Sequence, residues 1–416
     1  MSNTDIRSLM VCIVTKQNAA NILPVMTMKP DIVVLAVSDD MKMGSENLSQ
    51  WFLTHGDFRP EQIVAMDGLP DRGIDRISDY ALELLIKIEE QWPDYKVILN
   101  TTGGNKLMTL AMVDAFRKGG VSDMVYADTQ HNVLEVIEPA KTPSIPISSV
   151  FTISGYLAAQ NRIARKASSD EQAWCERALE RKALTKWLAN HMDKLLQEKG
   201  GGILPQINGA AALALDKNGG LKPHCNQQDL HYVNPPSKAV LKKLKENGIL
   251  EWSEDRPNTV YFTHAEPTRY ISGGWLEEYV WHIATDSNAE HVAAGLDIHD
   301  GQHRKDDVRN ELDLVLVHNN RMLLVECKTS QIQKDRQKES DIIHKLDSIG
   351  THAGGLFCER LLVSASPLDH ENRQGRTIKV SSRAKGYSID VLQYLEIKQF
   401  RQLIDHWLAK GELPKG

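Results

Sequence analysis

The chain lacks any apolar run of about 18 or more residues, so no segment of it reads as a helix that spans a bilayer. It lacks a C-x-x-C pair. Cys12, Cys175, Cys225, Cys327 and Cys358 stand far apart, which argues against a zinc ribbon, and an odd number of cysteines cannot close a complete disulfide framework. A reducing cytoplasm is the expected setting. The first residues, MSNTDIRSLMVCIVTKQNAA, have neither a basic leader region nor a cleavage site and read as an opening strand. Both common glycine-rich nucleotide fingerprints, G-x-x-x-x-G-K-[ST] and G-x-G-x-x-G, are missing, which disfavours ATP hydrolysis and dinucleotide redox chemistry. Positive charge is also short: 49 Lys and Arg against 55 Asp and Glu leave a net of −6, so there is no global signal for nucleic acid. The deficit is uneven. Residues 1–150 hold 13 basic and 20 acidic residues, the remainder 36 and 35, so any nucleic-acid contact belongs in the later two-thirds.

What is present is an ordinary globular composition, 41% hydrophobic and 25% charged, over 416 residues, enough for two or three domains of about 100–200 residues each. Residues 1–145 alternate Val- and Ile-rich runs, LMVCIVT (9–15), DIVVLAV (31–37), QIVAM (62–66), KVILN (96–100) and DMVYAD (123–128), with helical patterns such as 74–91, whose stripe is Ile77, Tyr80, Ala81, Leu84, Leu85 and Ile88. That alternation predicts βαβ units and a Rossmann-like α/β parallel sheet. The Pro-rich stretch EPAKTPSIPISS (138–149) reads as a boundary. Residues 150–267 then predict a helical segment (170–198), a basic helix stopped at Asn247–Gly248, and a hairpin turning around Asp255–Asn258, the outline of a winged helix. Residues 268–416 run helix (272–286), hairpin, polar helix (331–350), strand (361–366) and final helix (396–409).

The hairpin of that last segment carries chemistry. Period-two geometry puts Glu311 and Asp313 on one face of ELDLVLV (311–317), and Glu326 and Lys328 on one face of MLLVECK (322–328). Two carboxylates and an ammonium could therefore meet beside an apolar core, where charges are not left without a reason. Asp313, Glu326 and the backbone carbonyl of Cys327 suit a hard divalent cation, Mg²⁺ or Mn²⁺. Such an ion activates water and polarises a phosphate, with Lys328 orienting that water or stabilising developing charge. The pattern resembles the PD-(D/E)XK nuclease superfamily, an α/β/α restriction-endonuclease-like fold. Members with an acid on the preceding helix make Glu277 and Glu278 of WLEEYVW candidates, and Glu277 is preferred. His291, Asp297, His299, Asp300 and His303 match no compact zinc motif and read as a solvated loop. His344 and Lys345 read as helix surface, and Arg373, Arg376, Lys379, Arg383 and Lys385 as a basic cluster.

At the other end, KVILN runs straight into TTGGNKLMTLAM. Thr101, Thr102, Gly103, Gly104, Asn105 and Lys106 thus fall at the carboxyl end of a parallel strand and the start of a helix, where open α/β sheets bind ligands and where a phosphate is favoured. Thr15, Lys16, Gln17 and Asn18, after the first strand, share that edge.

This combination resembles, over essentially the whole chain, the CARF-nuclease effectors of type III CRISPR defence. The specific parts are NTTGGNKLMTLAM (100–112), GGWLEEYVW (273–281), ELDLVLV with LLVECK, and HKLDSIGTHAGG (344–355). The resemblance implies a homodimer that binds a cyclic oligoadenylate as allosteric activator. Its ligand residues would be Thr15, Lys16, Gln17, Asn18, Thr102, Gly103, Gly104, Asn105 and Lys106. It also implies a metal-dependent endonuclease that cuts single-stranded DNA or RNA or nicks DNA, with Asp313, Glu326, Lys328 and Glu277 catalytic. The alternatives are a nucleotide-sensing transcriptional regulator with an inert nuclease fold, and a repair or restriction nuclease that needs no ligand.

Overall fold

The computed structural model describes residues 6–196, 202–300, 310–329, 336–371 and 377–414, and the chain divides into two compact units, 1–163 and 164–416. In the first unit β1 (Ser8–Ile13), α1 (Ala19–Met28), β2 (Ile32–Val37), α2 (Lys42–His55), β3 (Ile63–Asp67), α3 (Ile74–Gln91), β4 (Lys96–Asn100), α4 (Lys106–Lys118) and β5 (Asp123–Asp128) alternate. They are followed by β6 (Val133–Glu138), β7 (Ile145–Pro146) and α5 (Ile153–Ala159). The sheet order is β3-β2-β1-β4-β5-β6-β7, parallel through β5 and antiparallel beyond it. The apolar runs of β1 and β2 are buried almost throughout, as strands covered on both faces must be. Helix α3 buries Ile77, Ala81, Leu84, Leu85 and Ile88, whereas Tyr80 stays at the rim, its hydroxyl donating to the Met66 carbonyl at 2.6 Å. The progression β1-β2-β3 runs one way from the middle of the sheet and β4-β5 the other, so the strand order reverses between β1 and β4. The loops leaving the carboxyl ends of those two strands flank the crevice where such sheets take ligands. The Pro-rich stretch expected as a boundary adds the edge strand β7, where Pro146 is tolerated because an edge strand can spare an N–H.

The second unit opens with β8 (Arg162–Ala167), α6 (Gln172–Asn190), α7 (Met192–Leu196) and α8 (Ile203–Ala214). Next come β9 (Gln227–Asp229), α9 (Pro235–Glu246), β10 (Glu251–Trp252) and β11 (Thr259–Tyr261), with β11 pairing antiparallel to both β10 and β9. The chain continues through α10 (Ala265–Arg269), α11 (Trp275–Thr285), β12 (His291–Asp300), β13 (Asn310–His318), β14 (Arg321–Lys328) and α12 (Arg336–Ile349). It ends with β15 (Cys358–Ser364), β16 (His370–Glu371), β17 (Thr377–Ile378), α13 (Val380–Gly386), β18 (Asp390–Gln393) and α14 (Phe400–Lys410). The large mixed sheet has the order β18-β15-β14-β13-β12-β8. The β13–β14 hairpin closes through Asn319 and Asn320, both left-handed (φ 47° and 61°), as a tight hairpin turn requires.

One expectation is overturned. The segment from His291, read as a solvated loop, is a strand through Asp300, and His303 lies outside the described residues. Ala294, Leu296 and Ile298 alternate into the core while His291, Gly295, Asp297 and His299 are only half-buried, so the period-two signal was present but masked by the polar residues. A single apolar core takes in Ala178, Leu188, Leu241, Phe262, Trp275, Leu323 and Trp407. The segment 150–267 therefore packs largely as part of the same unit as the nuclease-like sheet. Among the described residues no helix is long and apolar enough to cross a membrane.

Phe116 is fully buried with Leu99 and Met112 in the core of the first unit. Phe116→Ala should cost about 3–5 kcal/mol, read as a lower urea midpoint for the unfolding of that unit.

Candidate functional site

The acidic cluster arises where two strands part. β13 and β14 pair from His318 with Arg321 up to Leu314 with Val325. Beyond that point β14 stays with β15 as far as Lys328, and β13 stays with β12 as far as Asn310. The N–H of Cys327 donates to Oδ2 of Asp313 at 2.6 Å, so a side-chain carboxylate holds the strands where the ladder stops. Lys328 Nζ lies 2.6 Å from Glu326 Oε1 and 3.9 Å from Asp313 Oδ2. The expected convergence of Asp313, Glu326 and Lys328 is therefore present in the geometry. Lys345 of α12, read from sequence as helix surface, joins it. Its Nζ is 3.3 Å and 3.4 Å from the two oxygens of Glu326 and donates to the Glu311 carbonyl at 3.3 Å.

The electrostatics are those of a carboxylate excess. Burial pushes Asp313 up from 3.8 to about 6, and the nearby Glu326 adds to this, against the pull of Lys328 and the Cys327 N–H. Burial, then the charges of Asp313 and Glu311, push Glu277 up from 4.5 to about 8. Burial disfavours the charged form of Lys328, yet Glu326 and Asp313 hold its pKa above the ordinary lysine value. Burial also drives the Cys327 thiol well above its ordinary value, so only the backbone of that residue is suited to the site.

The neighbouring acids of α11 have different tasks. Glu278 is buried against Arg181, which also forks onto Glu266 at 2.7 Å and 2.8 Å. Glu278 is thus a member of an ion-pair network, and Glu277 is the acid that feels the cluster. A π-helical turn at Tyr270–Gly274 sets the start of α11, and the Thr329 hydroxyl, just past β14, donates to the Ser272 carbonyl at 3.1 Å.

Among the described residues no three His, Cys, Asp or Glu side chains stand together closely enough to hold a metal ion, and Lys328 and Lys345 lie on Glu326. The donor set still fits one. Glu277, Glu311, Asp313 and Glu326 are all oxygen donors, they outnumber the two ammoniums, and a hard divalent cation would make up the difference.

The turn after β4 is held rigidly. Asn100 donates to the Ala20 carbonyl and to Asn21 Oδ1, both at 3.0 Å, and accepts the Thr102 N–H at 3.0 Å. Asn21 in turn donates to the Ile13 carbonyl at 2.9 Å, which joins the ends of β1 and β4. Neither asparagine stood among the sequence candidates, and only burial reveals their role. A Cβ on Gly103 would stand 2.2 Å from the Ile13 oxygen, and Gly104 has φ +79°, so both positions require glycine. Asn105 caps α4 by accepting the Met108 N–H at 3.0 Å, which leaves the N–H groups of Lys106 and Leu107 without an intrahelical partner.

The candidates at this edge divide. Lys16, Asn105 and Lys106 are exposed, and Thr15, Gln17, Thr102 and Gly104 half-exposed. Asn18 departs from expectation: it is buried and its amide donates to the Ala159 carbonyl at 2.9 Å, so it braces α5 within the unit. The Thr102 hydroxyl accepts the Ala127 N–H at 2.8 Å, a fold contact that leaves its proton available. Of the basic cluster, Lys379, Arg383 and Lys385 lie at α13, while Arg373 and Arg376 lie outside the described residues. His344 meets the Tyr387 ring edge-on at 5.5 Å.

Residues 9–156 match the family described as the Card1 CARF domain. Residues 264–410 match the Card1-like endonuclease domain. The chain belongs to the Card1-type CARF-nuclease family. It is thus a CRISPR-associated nuclease whose last segment is a PD-(D/E)XK-type endonuclease domain. Two solved structures share its fold. Can2 from Sulfobacillus thermosulfidooxidans, solved in complex with cyclic tetra-adenylate, is 20% identical with a TM-score of 0.73, over 97% of this chain and 98% of that one. Protein VC1899 from Vibrio cholerae is 18% identical with a TM-score of 0.78, over 98% of this chain and 99% of that one. No curated protein matches the sequence.

The raised carboxyls set a pH dependence. Between pH 4.5 and about 8 the folded protein keeps a proton on Glu277 that the unfolded chain releases, and Asp313 behaves likewise from 3.8 to about 6. Stability in a chelator should therefore fall as pH rises through that range. Glu277→Gln should raise the Tm near pH 8 and flatten its decline, as thermal unfolding in EDTA across the pH range would record.

Proposed function

We propose that this Card1-type nuclease is switched on by a cyclic oligoadenylate bound at the β1/β4 crevice and then cleaves single-stranded nucleic acid or nicks DNA at the Asp313–Glu326–Lys328 cluster. The observation that carries the reading is the convergence of those three groups where β13 and β14 part, on a chain whose other unit presents a glycine turn at its topological switch point. The ligand assignment rests on the chemistry of that turn: N–H groups at the start of α4, the close backbone approach allowed by Gly103 and Gly104, and the exposed ammoniums of Lys16 and Lys106. The relative solved with cyclic tetra-adenylate supports the same ligand class.

Asp313, Glu326 and the Cys327 carbonyl would hold Mg²⁺ or Mn²⁺, which supplies a polarised phosphate and an activated water. Lys328 then orients that water and offsets charge on the pentavalent phosphate. Glu277, poised near neutrality by its neighbours, is suited to hold or pass a proton beside them. A ring shared by two copies of the chain would favour only the arrangement that binds it, and so acts through its differential affinity for the off and on states. Moving from mostly off to mostly on requires about 5 kcal/mol of such preference. The three-part division 1–145, 150–267 and 268–416 assigns sensing to the first and cleavage to the last. The middle, where α9 lies next to the sheet β10-β11-β9, we assign as winged-helix-like.

With Mn²⁺ and cyclic tetra-adenylate, the protein should cleave single-stranded DNA, single-stranded RNA or supercoiled plasmid, and not without the ring. Glu326→Ala and Lys328→Ala should abolish cleavage with ring binding intact. Gly104→Trp should lose ring binding and activation with Mn²⁺ binding intact. Cleavage by Glu326→Ala would remove the assigned centre, and ring-independent cleavage would remove the switch.

A further inference from the structure

Lys345 is not required by the three-residue pattern, yet it reaches the same carboxylate as Lys328. The two contacts differ in kind. Lys328 is 2.6 Å from one oxygen of Glu326, a close charge-assisted hydrogen bond. Lys345 straddles both oxygens at 3.3 Å and 3.4 Å and shares its ammonium with the Glu311 carbonyl at 3.3 Å, all longer than a settled ammonium–carboxylate bond. It comes from α12, on the far side of the undescribed stretch 330–335, and its side chain is more exposed than that of Lys328, 37% against 26%. A group held loosely at the rim by an anion is free to change anions.

We propose that Lys345 is a substrate-binding residue of the nuclease centre: it rests on Glu326 in the metal-free protein and transfers to a phosphate of the bound strand when a divalent cation takes the Glu326 oxygens. This rests on the metal-dependent nuclease reading. The charge balance supports the exchange. Four carboxylates, Glu277, Glu311, Asp313 and Glu326, face two ammoniums, and a cation of charge two removes the excess that holds Lys345 in place. A phosphodiester then brings one new negative charge to a rim that already carries a matching ammonium. Lys328 cannot serve in that way, because it is closely bound to Glu326 and stands within 3.9 Å of Asp313. The ligand class for Lys345 is a phosphodiester oxygen of a polynucleotide, recognised without regard to base.

The test uses the full-length protein with cyclic tetra-adenylate, Lys345→Met and Lys345→Arg. Binding of fluorescent single-stranded DNA and RNA oligonucleotides in Ca²⁺ is followed over a salt series, and Mn²⁺ binding without oligonucleotide is followed by calorimetry. Lys345→Met should weaken strand binding about three- to tenfold at low salt and reduce the salt slope by about 0.7, the loss of one phosphate contact. Lys345→Arg should restore most of both. Mn²⁺ should bind Lys345→Met at least as tightly as the parent, because a competitor for Glu326 is gone. An unchanged strand affinity and salt slope would overturn the proposal, and so would weakened Mn²⁺ binding, which would mark Lys345 as a support for Glu326. If the parent protein neither binds Mn²⁺ nor cleaves any strand, the nuclease reading fails and this one with it. Parent cleavage with indifferent Lys345 variants fails this one alone.

Discussion

The second unit depends on one hydrogen bond that is out of place for a β-sheet. Where β13 should go on pairing with β14, the Cys327 N–H is taken by the Asp313 carboxylate. That exchange lets the strands separate while each keeps its outer neighbour, β12 or β15. A backbone donor inside a sheet must be satisfied, and here an acid satisfies it. The acid is thereby fixed at the mouth of the gap, with the Glu326 carboxylate on the next strand and Lys328 reaching both. Burial at this point raises the cost of charge. The raised pKa values of Asp313 and Glu277 measure a site that holds more negative charge than its two lysines offset.

The rest of the unit supports that placement. The π turn before α11 and the Thr329–Ser272 hydrogen bond bring Glu277 to the cluster. The Arg181–Glu266–Glu278 network fixes the same helix on its other side. Such buried networks contribute specificity of position more than net stability. In the first unit the equivalent constraint is polar but uncharged: Asn21 and Asn100 bind the ends of β1 and β4 to each other, so the glycine turn is presented in one geometry. The two units thus handle anions differently. One offers N–H groups and exposed lysines, the other a carboxylate cluster that wants a cation first.

Much of this was legible in the residues. Apolar runs of length five to seven between amphipathic stretches specified the parallel sheet, because strands buried on both faces and helices buried on one leave different periods. The spacing of Asp313, Glu326 and Lys328 specified their shared face for the same reason. Where the reading went astray, at His291–Asp300, polar side chains on the half-buried face of β12 outweighed a correct alternation. The Pro-rich stretch misled in a similar way, since proline marks edges of sheets as well as their ends.

Local pattern therefore determined the elements, the glycine turn with its capped helix, and the face on which each catalytic candidate lies. These follow from chain geometry over a few residues. Tertiary structure alone decided the pairings across long separations. It sent Glu278 to Arg181 and left Glu277 to the cluster, buried Asn18 against Ala159, and carried Lys345 onto Glu326. Adjacent or equivalent side chains can be told apart only by what the fold brings within a few ångströms of them, because burial and charge act through space and not along the sequence.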